Sequence, residues 1–270
     1  MPSYGDGMDA APGATRITSA LEQVAGWVAE ARAVTVLTGA GMSTESGIPD
    51  FRGPDGVWTR DPSARRLYDL EADRSDPGVR EQAWRRRTEH PAWTARPHAG
   101  HAALVALERA GRLRAVVTQN IDGLHQLAGN DPRRVLELHG SIHRVECLAC
   151  GRTGPTADTL ERVRAGEADP PCRACGGMLK TATVSFGQSL DPAVLSAAVA
   201  AAAGADLLLA IGTTLTVRPA ASLVDVALGA GARLVVVNDG PTAYDGLAAA
   251  RVGGRIGEVL PLLVGQPAAA

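Results

Sequence analysis

The sequence predicts a doubly wound parallel α/β sheet with a smaller second domain beside it. Four short apolar runs rich in β-branched residues are typical of strands that are buried on both faces of a parallel sheet. These predicted strands are Val34–Leu37, Ala115–Thr118, Asp206–Ile211 and Arg233–Val237. Helical patterns alternate with them, at Ile17–Ala31, His98–Ala110, Pro192–Ala203 and Ala220–Gly229. This alternation predicts helices on both faces of one sheet.

Two long stretches interrupt the alternation. Residues 54–96 are rich in Arg, Asp, Trp and Pro, which predicts a lid of irregular helices, and residues 141–180 contain all four cysteines. Because both stretches are inserted between elements of the sheet, we expect them to meet as one small domain. The sheet domain then comprises residues 16–53, 97–140 and 181–265. We expect residues 1–15 to be disordered and residues 266–270 to fray.

Length and composition set broad limits. The 270 residues suit one large domain with a smaller one, and a hydrophobic content of 45% is enough for a core. The formal net charge of −2 gives no reason to expect direct nucleic-acid binding. With neither a signal peptide nor an apolar run of membrane-spanning length, we expect a cytoplasmic protein. Lys180 is the only lysine, a bias that is typical of a GC-rich bacterial genome.

The four cysteines form two pairs with zinc-ligand spacing. Cys147 and Cys150 are one CxxC pair, Cys172 and Cys175 are the other, and 21 residues lie between the pairs. Their small, turn-compatible neighbours suit two knuckles that present four thiolates to one tetrahedral zinc. Two disulfides are the alternative, which a reducing compartment disfavours. Four thiolates close the coordination sphere, so we expect a structural zinc that takes no part in the chemistry.

A glycine-rich loop follows the first predicted strand. It opens with Gly39 and Gly41, and glycines at such a position let the backbone approach a pyrophosphate. The spacing is not GxGxxG, and a plain strand-to-helix turn is the alternative. The triplet Asp50, Phe51 and Arg52 favours ligand binding, because a pocket that closes over a nucleotide uses such residues and surface loops seldom do.

Polar residues follow the second predicted strand. Gln119, Asn120 and Asp122 lie at its carboxyl end, which borders the cleft of a doubly wound sheet. A capped helix N-terminus explains these side chains equally well. Farther along, His139 lies just before Gly140 and beside the cysteine module. A lone histidine is more often structural, but at a junction of two domains it suits a base that titrates near neutrality.

Glycine and polar residues also follow the last two predicted strands. Gly212, Thr213 and Thr214 follow one strand, and Asn238 follows the other. Such backbone and side-chain groups suit contacts to phosphate, ribose or adenine. Asn238 departs from the acidic ribose clamp of NAD dehydrogenases, so we do not expect hydride transfer.

Taken together, these segments closely resemble the sirtuin family of NAD-dependent protein lysine deacylases. The resemblance runs from about Val34 to Val264, most of the chain. Its motifs are GAGMSTESGIPDFR (39–52), TQNIDGLH (118–125), LHG (138–140), the two CxxC pairs, VSFGQ (184–188), IGTTLTVRPAA (211–221) and VVVN (235–238). The resemblance implies a Rossmann-like NAD-binding domain and a small domain made of a zinc-ribbon module and a helical lid.

The resemblance also implies which loops contact NAD. The residues along the pyrophosphate would be Gly39, Ala40, Gly41, Ser43, Gly212, Thr213 and Thr214. Those at the nicotinamide and its ribose would be Gln119, Asn120, Ile121 and Asp122, with Asn238 at the adenosine end. Asp50, Phe51 and Arg52 would belong to the closing loop, where Phe51 would shield the reacting sugar carbon from water.

The same resemblance implies a reaction and a partner. His139 would act as the general base beside Asn120 and Asp122, and the products would be nicotinamide, free lysine and O-acyl-ADP-ribose. The partner would be an acylated-lysine protein or peptide that binds as an extra strand along Val184–Gly187. Val184 and Phe186 would flank the acyl-lysine, with Gly187 beside them. We favour a monomer.

Two rival functions stay open from sequence alone. Mono-ADP-ribosyl transfer or NAD hydrolysis would use the same NAD pocket, and a scaffold that binds NAD without turnover is also compatible. Gln188 stands where the family usually has an acid. Trp84 and Arg87 stand where sirtuins that favour succinyl or malonyl groups have Tyr and Arg. We expect Trp84 to be a buried anchor and the arginines that follow it to be solvated.

Overall fold

The structure is a computed structural model that describes residues 12–265. Two β-sheets form its framework. The strands are β1 (Val34–Thr38), β2 (Leu113–Thr118), β3 (Val135–Glu137), β4 (Gly140–Cys147), β5 (Thr153–Pro155), β6 (Leu179–Thr183), β7 (Leu207–Ile211), β8 (Arg233–Val237) and β9 (Ala250–Val252). The larger sheet is parallel, in the order β3-β2-β1-β7-β8-β9, and the smaller is antiparallel, in the order β5-β4-β6. The strand order reverses between β1 and β7, so the predicted doubly wound fold is confirmed. This reversal opens a cleft at the carboxyl ends of the two strands.

The part of the chain that the structure describes forms ten α-helices. They are α1 (Pro12–Glu30), α2 (Val57–Arg60), α3 (Leu70–Ser75), α4 (Pro77–Thr88), α5 (Ala99–Arg109), α6 (Leu124–Ala128), α7 (Thr156–Arg164), α8 (Pro192–Ala203), α9 (Ser222–Gly229) and α10 (Ile256–Leu263). Alternate residues of β8 point to opposite faces: Val235 and Val237 pack with α1, α5 and α10, whereas Leu234 and Val236 pack with α8 and α9. Strands buried on both faces have the continuous apolar sequence from which they were predicted.

The observed elements lie close to the predicted ones. The four predicted strands agree with the structure within two residues at each end, whereas β3, β9 and α10 were not predicted. Helix α1 begins at Pro12, so the prediction of disorder is wrong for residues 12–15. Residues 1–11 and 266–270, also predicted to be disordered or frayed, lie outside the described part of the chain. Within the described part, no helix combines the length and apolarity needed to cross a membrane.

The lid and the cysteine module share a small core of their own. Trp84 of α4 is 3% exposed and packs with Val145, Leu160, Leu179 and two of the cysteines, so its predicted role as a buried anchor is confirmed. Arg87 is half-buried, and burial lowers the pKa of its guanidinium, so the prediction that it is solvated is wrong. The domain boundaries themselves stay a prediction.

Candidate active site

The loops that follow β1 and β7 cross in direct backbone contact. The N–H of Gly39 donates to the carbonyl of Ile211 at 3.0 Å, and the N–H of Gly41 donates to that of Gly212 at 2.9 Å. A Cβ on Gly41 would lie 2.8 Å from Cα of Gly212, and one on Gly212, whose φ is +60°, would lie 2.4 Å from the nitrogen of Met42. The crossing therefore requires glycine. Residues Ala40–Ser46 form a 3-10 helix instead of opening an α-helix.

A hydrogen-bonded network joins the loop after β1 to the loop after β2. The Asn120 side-chain amide donates to the carbonyl of Gly39 and to Oγ of Ser43, each at 3.0 Å. Oγ of Ser43 donates to Oδ2 of Asp122 at 2.7 Å, and Oδ1 of Asp122 accepts from the N–H of Leu124 at 2.9 Å. Ser43 and Asp122 are buried. Four of the predicted site residues are therefore in one rigid arrangement.

His139 is attached to the same strand end. Its Nδ1 lies 3.0 Å from the backbone carbonyl oxygen of Gln119, and the Gln119 side chain donates to Oγ1 of Thr213 at 3.1 Å. A carbonyl oxygen only accepts, so Nδ1 carries the proton and Nε2 has the free lone pair. Burial lowers the pKa of His139, partly offset by this hydrogen bond. The imidazole is consequently neutral at pH 7 and can accept a proton.

Four aromatic rings connect the closing loop to the predicted substrate segment. The ring of Trp58 lies 4.7 Å from that of Phe51 and 5.7 Å from that of Phe186, and the rings of Phe51 and Tyr68 are 5.6 Å apart. Trp58 and Tyr68 were not among the predicted site residues. The scarcity of aromatic residues was the available signal, because both phenylalanines of the chain lie in this cluster.

The lid already occupies part of the predicted peptide-binding edge. The N–H of Phe186 donates to the carbonyl of Tyr68 at 2.7 Å, and the carbonyl of Phe186 accepts from the N–H of Leu70 at 3.0 Å. The prediction of an added strand along all of Val184–Gly187 is therefore wrong at Phe186, since neither of its backbone groups is available. Gly187 is exposed, and its N–H and C=O have no partner among the described residues.

Other predicted cofactor residues are not part of this hydrogen-bonded network. The carboxylate of Asp50 accepts from the N–H of Gly53 at 2.7 Å and shapes the turn that leads into the lid. Arg52 stacks on Trp58, with Cζ 4.8 Å from the ring centroid. The remaining residues, which the structure does not join to the network of Ser43 and Asn120, are Ala40, Ile121, Thr214 and Asn238.

The four cysteines converge as one metal site requires. Their Sγ atoms all lie within 4.8 Å of one another, with 3.5 Å between Cys147 and Cys175 and 3.9 Å between Cys150 and Cys172. A tetrahedral zinc with Zn–S bonds of about 2.3 Å needs sulfurs roughly 3.8 Å apart. Backbone N–H groups of Cys150 and Ala149 lower the pKa of Cys147 to about 6. All four thiols are free, so they fit a structural zinc and not two disulfides.

Comparison with known proteins identifies the family. The Sir2 family model matches residues 39–219, more than half of the chain. The chain belongs to the Sir2 family. The resemblance seen in the sequence is thereby confirmed, and the glycine crossing, the Asn120 network and His139 are parts of a Sir2 chain.

Curated relatives and solved structures extend over nearly the same length. NAD-dependent protein deacetylase 2 of Streptomyces coelicolor is 52% identical over 231 residues, which is 86% of this chain and 96% of the relative. NAD-dependent protein deacylase 2 of Pyrobaculum aerophilum is 44% identical over 243 residues, 89% of this chain and 93% of the relative. A Sir2 structure bound to acetylated peptide has a TM-score of 0.79 at 31% identity, covering 89% and 95% of the two chains. Another, with a peptide and NAD+, has a TM-score of 0.80 at 33% identity, with the same coverage.

Proposed function

We propose that this protein is an NAD-dependent protein lysine deacylase that yields nicotinamide, free lysine and O-acyl-ADP-ribose. Relatives that span most of the chain are named NAD-dependent protein deacetylases or deacylases. Solved Sir2 proteins with acetylated peptide or NAD+ share its fold. The observation that carries the proposal is the neutral His139, whose fixed tautomer lies beside the Asn120 network.

His139 acts as the general base. With Nδ1–H held by the Gln119 carbonyl, Nε2 accepts the proton of a ribose hydroxyl and the imidazolium that forms stays hydrogen-bonded. Burial lowers the pKa of His139, so the base is unprotonated at physiological pH and needs no prior deprotonation. A positioned base of this kind is worth roughly two to four orders of magnitude in rate.

The buried network orients the leaving group. Because Ser43 and the Leu124 N–H both donate to Asp122, that side chain is held in place, and its oxygens can accept from a carboxamide. NAD, when bound, supplies the sugar carbon that the acyl oxygen attacks. Phe51 and Trp58 form an aromatic wall that keeps water away from that carbon.

The four cysteines would hold a structural zinc that keeps the small domain in place beside the cleft. It would join the two knuckles, Cys147–Cys150 and Cys172–Cys175, that flank the sheet β5-β4-β6. Strand β4 begins directly after His139, and β6 ends directly before Val184. A bound zinc would thus stabilise the chain segments that carry the base and the substrate segment without touching either.

The proposal extends to partners and location. The enzyme acts as a cytoplasmic monomer on acylated proteins. It does not bind nucleic acid directly, because its net charge of −2 offers no excess of positive charge to a phosphate backbone. Light scattering after gel filtration tests the monomer, and cell fractionation tests the location.

Labelled NAD tests the reaction type. The purified protein is incubated with adenine-labelled NAD and either an acetyl-lysine peptide or its unacetylated form. The label should pass to a small O-acetyl-ADP-ribose, and only with the acetylated peptide. Label retained on protein without any acyl-lysine would instead establish mono-ADP-ribosyl transfer, and label in free ADP-ribose without acyl-lysine would establish NAD hydrolysis.

A further inference from the structure

Two arginines lie over one indole ring at the mouth of the site. Cζ of Arg52 is 4.8 Å from the Trp58 ring centroid, and Cζ of Arg65 is 5.7 Å from it. Arg65 also lies over Phe186, with Cζ 5.2 Å from that ring. Phe186 immediately precedes Gly187, whose backbone groups are available to a peptide. Arg65 therefore stands beside the path of the substrate.

The positive charge of this arginine pair is not balanced by the protein. Among residues 12–265, no carboxylate lies within 4.0 Å of either guanidinium, although the neighbouring Arg66 pairs with Asp76 at 2.8 Å. Burial, and then repulsion by Arg65, lower the pKa of Arg52. The Asp69 carboxylate, in the segment paired with Phe186, is used to cap α3 through the N–H of Ala72 at 2.8 Å.

The predicted substrate segment, Val184–Gly187, and the residue after it do not neutralise this charge either. Gln188 occupies the position where the family usually has an acidic residue. Its Oε1 accepts hydrogen bonds from Nζ of Lys180 and from the N–H of Ser185, each at 3.2 Å. Lys180 itself pairs with Glu146 at 3.4 Å. This segment thus contributes no free negative charge to the cleft, and a substrate carboxylate is the missing partner.

We propose that Arg65 selects acyl-lysine substrates that carry Asp or Glu within two positions of the acyl-lysine. This inference rests on the proposed function. An extended peptide advances about 3.3 Å per residue, so a side chain one or two positions away reaches a guanidinium beside Phe186. When NAD is bound, Arg52 would contact its phosphates, and Arg65 would remain available to the peptide. Arg65 is exposed, and a pair of this kind favours the acidic peptide by roughly two- to fivefold.

Matched peptides test the selection. Acetyl-lysine peptides are made in pairs that differ at a single position, one or two residues before or after the acetyl-lysine. One peptide of each pair carries Asp there, and the other carries its uncharged isostere Asn. We measure kcat/KM for every peptide at low and at high salt. The wild-type enzyme should favour Asp by roughly two- to fivefold at one or more positions, and salt should shrink that ratio. Equal kcat/KM for every Asp and Asn pair would overturn the inference.

Variants then assign the preference to one side chain. R65Q should abolish the Asp preference and R65K should restore most of it, whereas the control R66Q, which loses a guanidinium already paired with Asp76, should keep it. KM for NAD should be unchanged in R65Q. A preference that survives R65Q would overturn the role of Arg65. Absence of nicotinamide release with every peptide would overturn the proposed function and the inference together.

Discussion

Nδ1 of His139 donates a hydrogen bond to the backbone carbonyl of Gln119 at 3.0 Å. The side chain of the same Gln119 reaches Thr213 at 3.1 Å, in the loop after β7. Gln119 thus fixes the base and ties the carboxyl end of β2 to the loop after β7. Because the carbonyl can only accept, the tautomer of the base is set by the backbone and does not depend on a second side chain.

Removal of the base should separate catalysis from folding. For His139→Ala we expect the melting temperature and NAD affinity to stay close to wild type, because the side chain has one hydrogen bond and is only half-buried. Deacylation should fall by roughly two to four orders of magnitude. Calorimetry, NAD titration and steady-state rates measure the three quantities. Near-normal turnover would place the base elsewhere.

The pH profile should reveal the lowered pKa of His139. An unperturbed histidine has a pKa near 6.5, and burial lowers that of His139. Protonation inactivates a base, so kcat/KM should hold its plateau below pH 6.5 and decline only at more acidic pH. The residual rate of His139→Ala is the control and should lack this decline. An acid limb centred above pH 6.5 would contradict the assignment.

Much of the fold could be predicted because parallel strands have a strong local signature. The run Arg233–Val237 is apolar throughout after its first residue, and the structure has β8 with the same bounds. Strands β3 and β9 have three residues each and lie at the sheet edges, too short to show a pattern. Helix α10 was not predicted because it contains Pro261, and a proline inside a sequence normally argues against a helix there.

The site was predictable where it lies at strand ends and unpredictable where it depends on the lid. Asn120 and Gly39 are brought together by the register of β1 and β2, which a parallel sheet dictates. Arg65 and Tyr68 meet Phe186 across a separation of more than a hundred residues, in a segment of irregular helices with no apolar period. Only tertiary packing reveals that contact.

The crossing of the glycine loops should be sensitive to a single methyl group. In Gly212→Ala the new Cβ would lie 2.4 Å from the nitrogen of Met42, so the loop after β1 must shift. We expect NAD affinity to fall about tenfold or more, since small displacements of a site are costly. Gly47→Ala is the matched control: its φ is also positive, at +85°, but nothing lies within 4 Å of the added Cβ. Equal NAD affinities in the two variants, measured by calorimetry, would contradict this account.

Loss of zinc should unfold the small domain selectively. The purified protein should contain one zinc per chain by elemental analysis, since four thiols share one site. Apparent zinc affinities of such sites are on the order of 10 kcal/mol or more, so Cys147→Ala or Cys175→Ala should abolish activity through disorder at the cleft. Hydrogen exchange should show loss of protection in β4 and β6 and its retention in β1 and β7. Full activity of metal-free protein would show that the module is dispensable.

The balance of the three products distinguishes NAD-dependent deacylation from simple hydrolysis of the acetyl-lysine amide. Wild-type protein is incubated with NAD and an acetyl-lysine peptide, and nicotinamide, deacetylated peptide and O-acetyl-ADP-ribose are quantified together by mass spectrometry. We expect the three products to form in equal amounts at all times and omission of NAD to abolish all of them. Deacetylated peptide formed equally well without NAD would contradict this expectation.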